Sequence, residues 1–222
     1  MLAVQRAETV SRWKTGGPVP IVTYNRMLRR LLQLLNKGGV NARTMHRFVW
    51  EDYRRRTRYA VPTKRKDTYV YVWPEMLRRL QRARVVPDRP HLVVDEGQDL
   101  PKGFFIYVSH HVARTLTVFA DDDQALNRQR TTLEEIKRAA DLDDPIILKR
   151  NHRNTPEVAA VAEHFHSGRL PAAEVTREGN GELPRLIRSR NINDTAALLS
   201  NWRQTRGGAV GVVVYSNRHT GV

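Results

Sequence analysis

His91-Leu92-Val93-Val94-Asp95-Glu96-Gly97-Gln98-Asp99 opens on a short run of apolar residues and closes on three acids and an amide. A continuous apolar run of this length, without polar alternation, predicts a strand buried on both faces, and so a parallel sheet covered by helices. Four other stretches repeat the pattern: Pro20-Ile21-Val22-Thr23-Tyr24-Asn25, Leu116-Thr117-Val118-Phe119-Ala120-Asp121, Pro145-Ile146-Ile147-Leu148 and Val210-Gly211-Val212-Val213-Val214-Tyr215. Helical spacing fills the intervals. From Met27 to Leu35, Met27, Leu28, Leu31, Leu32 and Leu35 form one stripe, with Arg29, Arg30 and Gln33 elsewhere. Pro74 to Arg84 and Thr131 to Ala140 also read as helices, the latter with Thr131 or Thr132 as cap and Glu134 and Glu135 in its first turn. Asn154-Thr155-Pro156-Glu157 is a helix start, with proline at the first position, and opens the periodic run Val158 to Phe165. Strand–helix alternation of this kind specifies an α/β fold.

Composition sets the outer limits. The 222 residues are 40% hydrophobic, enough for a packed core and too many for a wholly disordered chain. Cysteine is absent, which excludes disulfide scaffolds, thiolate zinc sites and cysteine nucleophiles and fits a cytoplasmic protein. No apolar run approaches membrane-spanning length, and the polar N-terminus, MLAVQRAETVSRWK, argues against a signal peptide. The net charge of +15 draws such a chain to polyanions, nucleic acid first among them. With 31 Arg against 7 Lys, the same excess also fits a GC-rich coding sequence, so charge alone does not decide. Two segments interrupt the alternation. Residues 51–90 are rich in Arg, Lys, Tyr and Trp and read either as a basic flap near nucleic acid or as a solvated helix pair; residues 167–182, with Gly168, Pro171, Gly179 and Gly181, read as a loop or a crossing between subunits of structure.

Chemistry in an open parallel sheet collects at the carboxyl ends of its strands. Asp95-Glu96-Gly97-Gln98-Asp99, Asp121-Asp122-Asp123-Gln124 and Arg150-Asn151-His152-Arg153-Asn154 each follow an apolar run directly. Converging acids call for a cation, and an arginine beside them suits a phosphorylated ligand. Together they are the parts of Mg²⁺-assisted phosphoryl transfer. The histidines form no metal set: His110-His111 and His164-Phe165-His166 have no cysteine near them.

At these residues the chain resembles the UvrD/Rep/PcrA-like superfamily 1 DNA helicases, in the family's motif order and over nearly its whole length. Ile21-Val22-Thr23-Tyr24-Asn25-Arg26 is similar to motif Ia, and Thr44-Met45-His46-Arg47-Phe48 to motif Ib. Val93 to Asp99 resembles motif II, the Walker B box, with Gly97 where alanine is usual; Phe119 to Gln124 resembles motif III, and Leu148 to Thr155 motif IV. The resemblance implies ATP and Mg²⁺ as cofactors and single-stranded or duplex DNA as partner, with RNA left open. It implies that Asp95 holds Mg²⁺, Glu96 acts as general base, Gln124 senses the γ-phosphate, and Arg153 reaches it from a second lobe like an arginine finger. Gln98, Asp99 and Asp121 join the nucleotide site, although Asp99 and Asp121 read equally as turn acids capping a following helix. Tyr24, Asn25, Arg26, Thr44, His46 and Arg47 are implied as the strand-binding surface, with Tyr24 a base stacker or a strand-end core aromatic. If the strand continues through Asp95 and Glu96, their side chains face opposite ways, one to the metal and one to the water.

The implied fold is a RecA-like P-loop NTPase sheet over residues 1–144, with the basic insertion at about 51–90, and the beginning of a second RecA-like lobe over 145–222. The implied function is part of an ATP-dependent helicase motor. The alternative is a non-catalytic nucleic-acid-binding remnant, or a subunit whose ATP site is completed by another chain. One departure from the family pattern is an absence: no Gly-x-x-x-x-Gly-Lys-[Ser/Thr] loop occurs. Met1 to Ala7 resembles the helix that follows such a loop, so the chain is expected to start just after it, with motifs V and VI beyond Val222.

Overall fold

Leu92, Val93 and Val94 lie in a strand with no exposed residue among them, as their branched side chains dictate. The structure is a computed structural model that describes residues 2–15, 17–35, 41–64, 70–121, 131–165, 172–207 and 211. The chain divides into two compact units, Met1–Lys149 with His166–Ala172, and Arg150–Phe165 with Ala173–Val222.

The first unit begins with α1 (Leu2–Val10), a π-helical turn (Ser11–Thr15), β1 (Pro20–Thr23), α2 (Arg26–Leu35), β2 (Asn41–Thr44) and α3 (Met45–Thr57). It continues with α4 (Trp73–Arg82), β3 (Leu92–Asp95), a 3-10 turn (Gly97–Asp99), α5 (Lys102–His111), β4 (Leu116–Val118) and α6 (Leu133–Ala140). The four strands pair in parallel in the order β2-β1-β3-β4. Alternation of side chains across the pleat divides the core in two. Ile21 and Val93 face Ala3, Val4, Ala7, Val10 and Leu32 of α1 and α2. Val22, Leu92 and Val94 face Phe48, Tyr53, Leu80, Phe104, Tyr107 and Ile136 of α3 to α6. Helices therefore cover both faces, which is why the two central strands, β1 and β3, carry no alternating polar residues.

Local signals account for the helix ends. Thr132 accepts a hydrogen bond from the Glu135 N–H at 3.2 Å while the Glu135 carboxylate accepts from the Thr132 N–H at 3.0 Å, a complete capping box on α6.

The stretch 51–90 is not a flap. Its first residues extend α3 to Thr57, and Tyr53, Tyr71, Met76 and Leu80 belong to the same core as Val22 and Val94. Arginines hold it down: Asp52, 2% exposed, receives Arg56 Nε at 2.6 Å, Arg55 Nη2 at 2.9 Å and the Tyr107 hydroxyl at 2.6 Å.

The second unit holds β5 (Arg150–Asn151), α7 (Pro156–Glu163), β6 (Glu174–Val175) and α8 (Ile192–Arg206), with β5 and β6 parallel. Pro156 sits at the first turn of α7, with Thr155 as its cap residue. Here one expectation fails. Residues 145–148 form no strand, and Ile146 is 93% exposed; an apolar run makes a strand only with a ladder partner, and among the described residues it has none. Over its described residues the stretch 167–182, expected as a loop or crossing, is irregular apart from the two-residue β6. The strand expected over 210–215 lies outside the described residues, Gly211 apart.

Candidate functional site

The register of the sheet brings three strand ends level. Thr23 is the Cα partner of both Thr44 and Asp95, so β1, β2 and β3 stop side by side. Thr23 is fully buried, and its hydroxyl has no hydrogen-bond partner among the described residues. Asp95 next to it is half-buried, and burial, followed by the charge of Glu96, pushes its carboxyl above the ordinary aspartate value. A cation here would relieve both effects.

β3 does not continue through Glu96. Glu96 takes left-handed backbone (φ 54°, ψ 49°), so its direction relative to Asp95 is set by a turn rather than by strand alternation. The Gly97 N–H then donates to the Phe119 carbonyl at 2.8 Å. A Cβ at this position would lie 2.6 Å from Val118 Cγ1. Close approach of this turn to β4 thus favours glycine at this position.

Gln98 is the connector of the site. Only 1% exposed, it donates from Nε2 to Glu96 Oε2 at 2.7 Å and accepts at Oε1 from the Asp121 N–H at 3.1 Å. Its amide thus links the Glu96 carboxylate to the backbone of Asp121. The physical cause is burial, which demands a partner for each polar atom. Asp99 is half-buried in the 3-10 turn, its N–H donating to the Glu96 carbonyl at 3.0 Å. The structure therefore gathers Asp95, Glu96, Gln98, Asp99 and Asp121 at one edge of the sheet. Gln124, with Asp122 and Asp123, lies outside the described residues. Arg153 belongs to the second unit, where its N–H donates to Asn151 Oδ1 at 3.1 Å and its carbonyl accepts from Arg177 Nη1 at 2.8 Å.

The residues expected to meet nucleic acid divide by what already occupies them. Tyr24 is 50% exposed, its ring centroid 6.2 Å from that of His46. Asn25 caps α2: its Oδ1 accepts from the Met27 N–H at 2.7 Å and its carbonyl from the Arg29 N–H at 3.0 Å. That explains Asn25 without a phosphate. Arg26 is exposed on the first turn of α2. Thr44 is half-buried in the cap position of α3, with no capping hydrogen bond from its side chain. Burial of the His46 ring, followed by the charge of Arg26, lowers its pKa below the ordinary histidine value, so the ring is neutral at pH 7. Arg47 donates from Nε to Glu51 Oε1 at 2.7 Å, and Arg43 donates to Glu51 Oε2 at 3.3 Å.

Sequence reasoning passed over Thr23 as a site residue, because nothing in its neighbours shows that its hydroxyl is buried beside Asp95; that follows from register. For a metal, no group of three or more His, Asp or Glu side chains is assembled among the described residues. Two adjacent carboxylates nonetheless suit Mg²⁺, which takes one or two from protein and the remainder from water and phosphate. A backbone nest for the phosphates is a different matter, since the 222 residues contain no glycine-rich Lys-[Ser/Thr] loop. No protein-family model matches the chain, and no curated protein matches it.

Proposed function

We propose that this chain is part of an ATP-dependent DNA helicase motor of the UvrD/Rep/PcrA-like superfamily 1 type, with RecA-like lobes. One observation carries the reading: Asp95 and Glu96 stand at the carboxyl edge of a parallel sheet, tied to Asp121 through the buried Gln98 amide. Asp95 and Asp121, with Thr23, would hold Mg²⁺, which supplies neutralisation of phosphate charge when bound. Glu96 is the general base for the attacking water. The Gln98 amide fixes its carboxylate by donating to Oε2. Gln124 and Arg153 take the γ-phosphate-sensing and arginine-finger roles, the latter worth roughly 10³–10⁵ in rate in such enzymes. Tyr24, Arg26, Thr44, His46 and Arg47 face the single strand, with Asn25 holding the turn that presents them. On this reading the protein works in the cytoplasm; among the described residues no helix is long and apolar enough to cross a membrane.

A second reading is a nucleic-acid-binding remnant, or a subunit that borrows its phosphate nest from another chain. The purified chain is then expected to hydrolyse little or no ATP. Robust Mg²⁺-dependent turnover, abolished by Glu96→Gln, would rule this second reading out. The shared expectation of both is binding of single-stranded DNA with log K falling by about 0.7 per neutralised phosphate for each decade of salt. Anisotropy titrations across a salt series measure it. Binding that ignores salt, or none at low salt, removes the nucleic-acid surface from both.

A further inference from the structure

The outward face of α3 carries an arrangement that the strand ends do not explain. The inward face of this helix is Met45, Phe48, Val49, Asp52 and Tyr53, all buried. Arg47, Trp50 and Arg54 lie at spacings of three and four residues, so they share one stripe on the opposite side, and all three are exposed. Trp50 is the anomaly: its indole is 49% exposed on a helix that has an apolar face available for aromatic rings. The Arg54 guanidinium covers it at 4.5 Å from the ring centroid. Just past the helix, Tyr59 is 64% exposed and lies beneath the Arg79 guanidinium at 5.7 Å. Two exposed aromatic rings, each with an arginine over it, therefore lie on and just past one helix.

The charge on this surface is one-sided. Glu51, the acid beside the stripe, is already held by Arg43 and Arg47, and these two hydrogen bonds outweigh burial and keep its carboxyl below the ordinary glutamate value. Glu75 is likewise paired with Arg79. Arg54 and Arg58 add exposed positive charge at the C-terminal end. A protein–protein interface would deplete charge around its aromatic centre. Flat rings interleaved with arginines instead match bases and phosphates in alternation. The stripe also starts where the strand-end surface stops, since His46 on the first turn of α3 contacts Tyr24.

We propose that the Arg47–Trp50–Arg54 stripe of α3 binds single-stranded DNA, with a base stacked on Trp50 and flanking phosphates on Arg47 and Arg54. The track begun at Tyr24 and Arg26 runs on along this helix. The proposal rests on the nucleic-acid half of the function given above and is independent of the ATP site. The probes are an oligothymidylate of about 15 nucleotides, and the same backbone with abasic residues, titrated into the full chain by anisotropy. Trp50→Ala should weaken binding of the oligothymidylate about tenfold and leave the abasic strand unchanged, because stacking needs a base. Trp50→Phe should retain most of the affinity. Arg54→Ala should lower the salt slope by about 0.7, one phosphate contact. Equal affinity of Trp50→Ala and the parent, or an equal loss on both probes, overturns the stripe. If Trp50→Ala unfolds, Trp50→Leu takes its place, since it keeps apolar bulk on the helix without an aromatic face. A folded Trp50→Leu that binds the oligothymidylate as tightly as the parent overturns the stripe equally. If the parent itself binds neither probe at low salt, the nucleic-acid reading falls and the stripe falls with it. A parent that binds while Trp50 is inert sinks the stripe alone.

Discussion

Gly97 and Asp52 show how much a single position can decide. At Gly97 the added methyl group of alanine would sit 2.6 Å from Val118 Cγ1, within the closest approach real side chains tolerate. The obstacle is a branched side chain on a strand, so relief requires Val118 or β4 to shift. Gly97→Ala is expected to lose about 1–3 kcal/mol in urea denaturation. Val118→Ala placed on top should recover part of that loss, a non-additivity that a double-mutant cycle reads directly. At Asp52 the danger is the reverse, a charge that must keep its partners. Removing it with Asp52→Ala leaves Arg56, whose side chain is only 5% exposed, with half its ion pairs, and strips the buried Tyr107 hydroxyl of its acceptor. The expected cost is about 3–5 kcal/mol, measured by the same denaturation. A loss below about 1 kcal/mol would mean that water replaces the carboxylate there.

Elements obey local rules where those rules are strong and ignore propensity where they are not. The capping box on α6 is reciprocal, with side chain and backbone of Thr132 and Glu135 each serving the other. Thr132→Ala should therefore cost about 1 kcal/mol, visible as a lower melting temperature, while Thr132→Ser should cost much less. By contrast, Ile146 and Ile147 have the side chains of a strand and do not form one. Strand formation needs a neighbouring ladder, and β-branching only improves the fit once the ladder exists. α3 continues into a segment whose composition reads as solvated charge. It does so because four of its polar groups, Asp52, Arg55, Arg56 and Asp88, satisfy one another.

On the scale of the molecule, these ion pairs make stability depend on acid. Burial pushes Asp52 upward, but hydrogen bonds from Arg56 and Tyr107 and the charge of Arg56 outweigh it and hold the carboxyl below the ordinary value. Burial also opposes the charge on Asp88, yet Arg55 and Arg56 bring its pKa down to about 2. Both groups bind protons more weakly folded than unfolded. Their contribution is therefore complete above the ordinary aspartate range, about pH 4, and disappears as pH falls through the folded values. The melting temperature should be level from about pH 7 to 5 and decline toward pH 2. Asp88→Asn should start from a lower plateau and decline less steeply. A parallel decline in parent and variant would show that other carboxylates govern the acid limb. Asp88 is 44% exposed, so solvent screens much of its share and Asp52 carries the larger part.

Much of this was written in short windows of sequence. Unbroken apolar runs require burial on both faces, and so Leu92 to Asp95 and Pro20 to Thr23 are legible as parallel strands beneath helices. Thr132-Leu133-Glu134-Glu135 is legible as a helix start because cap and backbone lie within one turn. Acids after an apolar run are legible as the end of a strand because an ionised carboxylate resists burial. What no window contains is pairing between distant positions. Tyr107 and Asp52 are 55 residues apart, and Gln98 and Asp121 are 23 apart. Register alone sets the Thr23 hydroxyl beside Asp95, and α3's packing alone turns Trp50 outward. Those choices belong to the tertiary structure, because a hydrogen bond or a buried charge is energetically defined only by the partner that folding delivers to it.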